Sequence, residues 1–341
     1  MPSRSKPFWS AFPDERLLEL RPCDLGLRLE GSDVEPPVRQ LYSDLSSRGI
    51  AFRPHAWLSD EFFTPDDVPG IAIPFYLAHP RLRALEQSQM LEVEGGTHDW
   101  CMRILRHEAG HALDNAYRLH RRRKYRELFG RYHAPYPESY RPRPYTKRFV
   151  VHLDMWYAQA HPAEDFAETF AVWLNPRSDW RRQYDGWPAL RKLQYIDELM
   201  HEVGGESPPV RTRCRTHTLS TLRLTLREHY RRKREYYCRD NPCCYDRDLR
   251  RVFSTDEKYA RRATAEEFLE SIRGEARMMI SRWTGAPQLT IDRTIADMKE
   301  RVALLGLRLC KPARQTKVDV MMMLAVQTMN YLTDSRQRIV L

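Results

Sequence analysis

The residues from Arg106 to Asp114 read RHEAGHALD, which places two histidines four positions apart. In an α-helix, His107 and His111 project from the same face, one turn from each other. Two imidazole nitrogens in this arrangement can bind a tetrahedral cation, and Glu108 would lie beside its open coordination position. The pattern H-E-x-x-H is short, however, and the same residues also fit a helix with two buried, hydrogen-bonded histidines.

A zinc site of this type requires a third protein ligand, and the stretch HPAEDFAETFAVWL offers two. Glu164 and Glu168 are four residues apart, hence on one helix face, and large aromatic residues flank them. Such carboxylates are unusual in an ordinary amphipathic helix. One glutamate as a zinc ligand, and the other as hydrogen-bond acceptor for a ligand histidine, would account for both.

These two motifs together resemble the gluzincin metallopeptidases. The likeness is to bacterial putative zinc-binding metallopeptidases and, more distantly, to the anthrax lethal factor and Mlc titration factor groups. In these families the glutamate that opens the second motif is the third zinc ligand and the next one supports the site, which implies those roles for Glu164 and Glu168. The relatives also carry an oxyanion-stabilising tyrosine seven residues before the ligand glutamate, and Tyr157 occupies that position.

The resemblance implies a zincin-like domain with a small sheet and an active-site helix, in which His107, His111 and Glu164 bind Zn²⁺. Glu108 would act as general base for a zinc-activated water, and Tyr157 would stabilise the oxyanion during peptide-bond hydrolysis. The chain lacks the G-x-M-E-N stretch of the large aminopeptidases. Exopeptidase specificity therefore has no support in the sequence. The expected enzyme is an endopeptidase with a narrow protein or peptide substrate, but the residues do not distinguish endo- from exo-cleavage.

The elements that must position these residues are predicted as follows. A helix begins near Thr97 and carries the first motif, and Gly110 in its middle indicates close packing against another segment. GIAIPFYL (70–77) is the best strand candidate, and its proline places it at a sheet edge, along which an extended substrate could lie. Residues 131–148 contain four prolines and four tyrosines and predict a long loop. Helix returns by about Leu153 and continues, after His161-Pro162, through the second motif.

The predicted fold class is α+β. The chain is predicted to consist of three regions. Residues 1–60 form an N-terminal segment that packs on the catalytic domain, and residues 61–206 form the zincin-like domain. A Ser-Pro-Pro step at 207–209 marks the boundary. Residues 210–341 are predicted to form a basic, all-helical C-terminal domain whose clearest helix begins with a capping box, TAEE.

Composition narrows the class of protein further. The chain of 341 residues has no apolar run of the roughly 20 residues that a membrane-spanning helix requires. Its first residues do not resemble a signal peptide, so the expected location is the cytoplasm. Three of the seven cysteines lie in one cluster, Cys238, Cys243 and Cys244. Free thiols are preferred there over a structural zinc site, because the spacing is not C-x-x-C.

The sequence is also compatible with two other functions. The net charge of +10 is concentrated in runs such as 118–126 and 227–237, which could bind nucleic acid, although no recognised nucleic-acid-binding motif accompanies them. The chain could also be a binding module that keeps zinc without turnover, but the intact Glu108 argues against this. The sequence does not indicate the oligomeric state.

Overall fold

The computed structural model describes residues 7–137, 140, 142–143, 145–237 and 245–333. The chain forms two compact units, one containing residues up to Gln89 with Val93–His229, the other containing Met90–Glu92 with residues from Tyr230 onward. Both units are mostly helical with small sheets, which agrees with the α+β prediction. Residues 210–229 lie in the first unit, and the limits of independent domains stay a prediction.

The first unit contains a parallel pair of strands, β1 (His55–Ser59) and β2 (Gly70–Pro74), surrounded by helices. Its helices are α1 (Asp14–Leu18), α2 (Glu35–Ser47), α3 (Pro80–Met90), α4 (His98–Tyr117), α5 (Arg123–Leu128), α6 (Pro162–Leu174), α7 (Trp180–Gln183) and α8 (Leu190–Val203). Helix α9 (Leu226–Tyr237) has residues in both units, and α3 has its last residue, Met90, in the second unit. Short 3-10 helices cover Pro22–Asp24, Phe75–Ala78, Leu119–Arg121, Asp154–Gln159 and Leu219–Thr221.

Strand β2 confirms the strand predicted at GIAIPFYL but not its open edge. All five residues of β2 are buried, and the strand pairs with β1 on one side. On its other side the Ala72 amide donates to the Phe63 carbonyl oxygen at 2.8 Å, in an antiparallel bridge. The interpretation of β2 as the edge that receives substrate is therefore wrong at Ala72, because Phe63 occupies that position.

Helix α4 packs against α6 through its small residues. Thr97 caps the helix, since its hydroxyl accepts a hydrogen bond from the Trp100 amide at 3.3 Å. A Cβ atom at Gly110 would lie 2.8 Å from the Cα atom of Ala167 in α6. The glycine thus allows the two helix backbones to approach, which confirms the packing reason predicted for it.

Gly110→Ala is expected to destabilise the first unit, although alanine is the better helix former. The methyl group would collide with backbone rather than with a flexible side chain, and overpacking of this kind costs about 1–3 kcal/mol. The matched control is Gly274→Ala, at a helical glycine with no atom within 4 Å of the added Cβ, where stability should rise by up to about 1 kcal/mol. Thermal unfolding measures both variants, and an unchanged midpoint for Gly110→Ala would contradict the close contact.

The second unit is mainly helical. Its helices are α10 (Asp246–Val252), α11 (Ala265–Thr284), α12 (Gln288–Leu304) and α13 (Ala313–Thr333), with a 3-10 helix at Glu257–Tyr259. The predicted capping box at Thr264 and Glu267 is confirmed. A two-residue antiparallel pair, β3 (Phe253–Ser254) with β4 (Arg308–Leu309), departs from the all-helical prediction.

Two further expectations from the sequence concern membrane-spanning helices and the cysteine cluster. None of the helices in that part of the chain combines the length and apolar character needed to cross a membrane. The cysteine cluster Cys238, Cys243 and Cys244 lies outside the described residues.

Candidate metal centre

The contact between α4 and α6 brings the two sequence motifs together. His107 and His111 project from one face of α4, and Glu164 from the first turn of α6. Glu164 Oε2 lies 3.0 Å from His107 Nε2 and 3.2 Å from His111 Nε2, and the two Nε2 atoms are 3.1 Å apart. Among the described residues, no other group of three His, Cys, Asp or Glu side chains is placed so that it could hold a metal ion.

Helix α6 begins where its sequence requires. Pro162 is the first helical residue, and His161 before it has an extended backbone, as expected of a residue that precedes proline. The His161 ring caps the helix, because its Nδ1 atom accepts the Ala163 amide hydrogen at 3.2 Å. The helical structure predicted from about Leu153 is a 3-10 helix at Asp154–Gln159, and α6 follows after His161, so Glu164 falls in the first turn of α6.

Glu168 lies on the opposite side of His107 from Glu164 and is completely buried. Its Oε1 atom is 2.9 Å from His107 Nδ1, and its Oε2 atom accepts the Leu153 amide hydrogen at 2.9 Å. A carboxylate accepts only, so Nδ1 carries the hydrogen and Nε2 of a neutral His107 presents its lone pair toward Glu164 and His111. This is the tautomer that binds a metal through Nε2.

The charge balance of the site fits a cation. Glu108, Glu164 and Glu168 are each at most 7% exposed, and within the described residues no lysine or arginine pairs with them. Buried charges without a counter-ion are strongly destabilising. With both imidazoles neutral, a divalent cation would supply the missing positive charge.

The pKa shifts of His107 and Glu164 also favour a positive charge at this site. Burial alone would lower the pKa of His107, but hydrogen bonds to Glu164 and Glu168 outweigh burial and raise it well above its usual range. Burial opposes ionisation of Glu164, yet the charge of His111 and the hydrogen bond with His107 hold its pKa well below normal. The site therefore attracts positive charge, which either protons or a metal can provide.

The distances between the donor atoms fit zinc. Zinc bonds of about 2.0–2.1 Å to nitrogen and oxygen in a tetrahedron place neighbouring donors roughly 3.3 Å apart. The three observed separations are 3.0, 3.1 and 3.2 Å. His107, His111 and Glu164 thus form a donor set of the correct type, size and charge.

Glu108 and Tyr157 both lie close to this donor set. Glu108 Oε2 accepts a hydrogen bond from the Thr64 hydroxyl at 2.9 Å. The centroids of the Tyr157 and His107 rings are 5.6 Å apart. Tyr157 comes directly after two residues with left-handed backbone conformation, Met155 and Trp156. Burial and the charges of Glu164 and Glu108 raise the pKa of Tyr157 well above normal, so its hydroxyl stays protonated.

Two polar contacts of the site have no counterpart among the residues predicted from the sequence. Thr64, between β1 and β2, contacts Glu108, and Tyr136, in the long loop, donates to Glu164 Oε1 at 2.8 Å. No periodicity or spacing links either residue to the H-E-x-x-H motif. The abundance of tyrosine in residues 131–148 was the only signal for the second contact.

Other polar residues near the motif have structural roles. His152 Nε2 is 3.0 Å from the Arg103 carbonyl oxygen, and burial lowers the pKa of this histidine. Asp114 accepts the His120 amide hydrogen at 2.7 Å and so fixes the turn after α4 rather than pointing at the donor set. Cys101 is buried, and burial raises the pKa of its thiol to about 12.

Glu168→Gln is expected to weaken zinc binding by about 10- to 100-fold, the usual cost of changing a residue that orients a metal ligand. The amide can present only one acceptor oxygen, so His107 Nδ1 and the Leu153 amide can no longer both be satisfied. Competition with a chromogenic chelator measures the affinity. Glu202→Gln, which changes an exposed partner of Arg122, is the control and should leave zinc affinity unchanged.

Runs of basic residues suggested that the chain could bind nucleic acid. In the run at 118–126, three cations form ion pairs with carboxylates: Arg122 with Glu202, Arg123 with Glu127, and Lys124 with Glu198. These pairs reduce the positive charge that the run can offer to phosphate groups. Binding of nucleic acid stays a prediction without further structural support.

Comparison with known families links part of the chain to a family of peptidases. The sequence profile of a family described as "Putative zinc-binding metallo-peptidase" matches residues 100–180, about a quarter of the chain. Comparisons with curated proteins and with solved structures gave no significant match. The matched residues include His107, His111 and Glu164, and the family description supports Zn²⁺ as the cofactor.

Proposed function

We propose that the first unit is a zincin-like, gluzincin-type peptidase that hydrolyses peptide bonds, with His107, His111 and Glu164 as zinc ligands. The observation that carries this proposal is the triangle of donor atoms 3.0–3.2 Å apart in a buried pocket of carboxylates. Bound zinc would supply Lewis acidity, which makes water more acidic and a carbonyl group more electrophilic.

Glu108 is the proposed general base. Its Oε2 atom accepts the Thr64 hydrogen bond, which fixes the carboxylate and leaves Oε1 to take a proton from the attacking water. The same carboxyl group then delivers that proton to the nitrogen of the leaving amine. One water is consumed, the C–N bond breaks, and a carboxylate and an amine are released.

Tyr157 is the proposed donor to the carbonyl oxygen as that oxygen gains negative charge. Tyr136 and Tyr140 donate to Glu164 and to the Met155 carbonyl oxygen, whereas no described residue forms a hydrogen bond with the Tyr157 hydroxyl. The Tyr157 phenol is thus available to a substrate. Its raised pKa keeps it protonated even at alkaline pH values at which an ordinary tyrosine ionises.

Tyr157→Phe should lower kcat by about 10²-fold, the lower end of the effect of removing one oxyanion donor, with little change in KM. The ring and its packing against His107 remain, so zinc content should also remain. Steady-state kinetics and metal analysis test this. A KM effect with unchanged kcat would assign Tyr157 to substrate binding instead.

The deciding experiment for the function is digestion of an unbiased peptide library, read by mass spectrometry. Zinc-loaded protein should cut internal peptide bonds, chelator-treated protein should not, and added zinc should restore cutting. If the zinc-loaded protein cuts nothing, the chain is a zinc-containing binding module instead. Release of terminal residues alone would replace endopeptidase with exopeptidase activity.

A further inference from the structure

We propose that Tyr136 is a positioning residue for Glu164 and that it couples the loop at 130–137 to zinc binding. This inference rests on the proposed zinc site. The residues concerned lie on two elements, the first turn of α6 and the loop that follows α5.

The two oxygens of Glu164 have separate partners. Oε2 faces the imidazole pair at 3.0 and 3.2 Å, and Oε1 accepts the Tyr136 hydroxyl hydrogen at 2.8 Å. A hydrogen bond to an ionised carboxylate is stronger than one between neutral groups. The phenol therefore holds the carboxylate plane and keeps Oε2, rather than Oε1, directed at the histidines.

The Tyr136 ring is itself held by His161. The two rings are stacked with centroids 3.7 Å apart and planes 17° from parallel. Because His161 Nδ1 accepts the Ala163 amide hydrogen, Nε2 carries the ring hydrogen and donates it to the Ala134 carbonyl oxygen at 2.8 Å. One histidine thus caps α6, supports the Tyr136 ring and fixes the loop backbone two residues before it.

Burial of apolar surface does not explain this arrangement. The Tyr136 residue is 49% exposed, so its ring contributes little to the core. Tyr140, farther along the tyrosine-rich stretch 131–148, donates to the Met155 carbonyl oxygen at 3.0 Å, and among the described residues its hydroxyl forms no hydrogen bond with a proposed ligand. The two tyrosines therefore differ in the group that their hydroxyls bind, which provides a matched comparison.

A contact that stabilises the metal-bound site must be stabilised by the metal in return, since coupling between two binding equilibria is reciprocal. If the Tyr136 hydroxyl strengthens zinc binding, zinc must strengthen docking of the loop. The loop would then exchange its amide hydrogens more slowly in the zinc-loaded protein, and this difference should require the Tyr136 hydroxyl.

The test compares wild type with Tyr136→Phe and Tyr140→Phe, each of which removes one hydroxyl and keeps the ring. Zinc affinity is measured by chelator competition, and amide exchange of a peptide covering 130–137 is followed with and without zinc. We expect the zinc Kd of Tyr136→Phe to rise about 10- to 100-fold, with loss of the zinc-dependent protection. Tyr140→Phe should stay close to wild type in both measurements.

The outcomes separate this inference from the proposed function. A wild-type zinc Kd and normal loop protection in Tyr136→Phe, in a protein that binds zinc and cleaves peptides, overturn the role of Tyr136 alone. Equal losses in both variants also overturn it, since they would show a general effect of the loop. Wild type that fails to bind zinc overturns both proposals.

Discussion

Glu108→Gln is expected to lower kcat/KM for peptide hydrolysis by about 10²–10⁴-fold, the contribution of a well-placed general base. Glutamine keeps the size of the side chain and can still accept the Thr64 hydrogen bond, but it cannot take a proton from water. The variant should bind one zinc per chain, because Glu108 is not among the three proposed ligands.

Metal analysis together with the peptide-library digest tests this expectation. Zinc content equal to that of wild type shows that any loss of cutting arises from the chemistry and not from an empty or unfolded site. Equal cutting by the variant and wild type would remove Glu108 from the mechanism and with it the assignment of the motif as a catalytic one.

Glu164→Ala is expected to abolish zinc binding at concentrations that saturate wild type. The change removes one of three donors and leaves two histidines, which cannot complete the site alone. Zinc that binds only the folded chain stabilises it by about 2.7 kcal/mol at a concentration 100 times the Kd. Wild type should therefore melt at a higher temperature with zinc, whereas the variant should melt at the same temperature with and without it.

Thermal unfolding with zinc and with chelator measures this effect. Glu202→Ala, an exposed glutamate paired with Arg122, is the control and should keep the full zinc-dependent shift. A zinc-dependent shift of wild-type size in Glu164→Ala would show that the metal binds elsewhere, and the proposed donor set would be wrong.

The sequence was sufficient for the parts of the site that follow from helix geometry. The spacing of His107 and His111, and of Glu164 and Glu168, places each pair on one helix face because an α-helix repeats every 3.6 residues. Gly110 indicated a close helix contact for a similarly local reason, since glycine within a helix is unfavourable without one. The structure has each pair on one helix face, as this spacing requires, and the packing of α4 against α6 brings the two pairs together.

The contacts that loops make could not be read from the sequence. Thr64 and Tyr136 reach Glu108 and Glu164 from segments without periodicity, so no pattern specifies where their hydroxyls lie. The open substrate edge predicted along β2 is wrong at Ala72 for the same reason, because the pairing partner there, Phe63, lies outside any named strand. Helix faces were determined by the sequence itself, whereas the loops that fix the carboxylates and complete the sheet were decided only by tertiary packing.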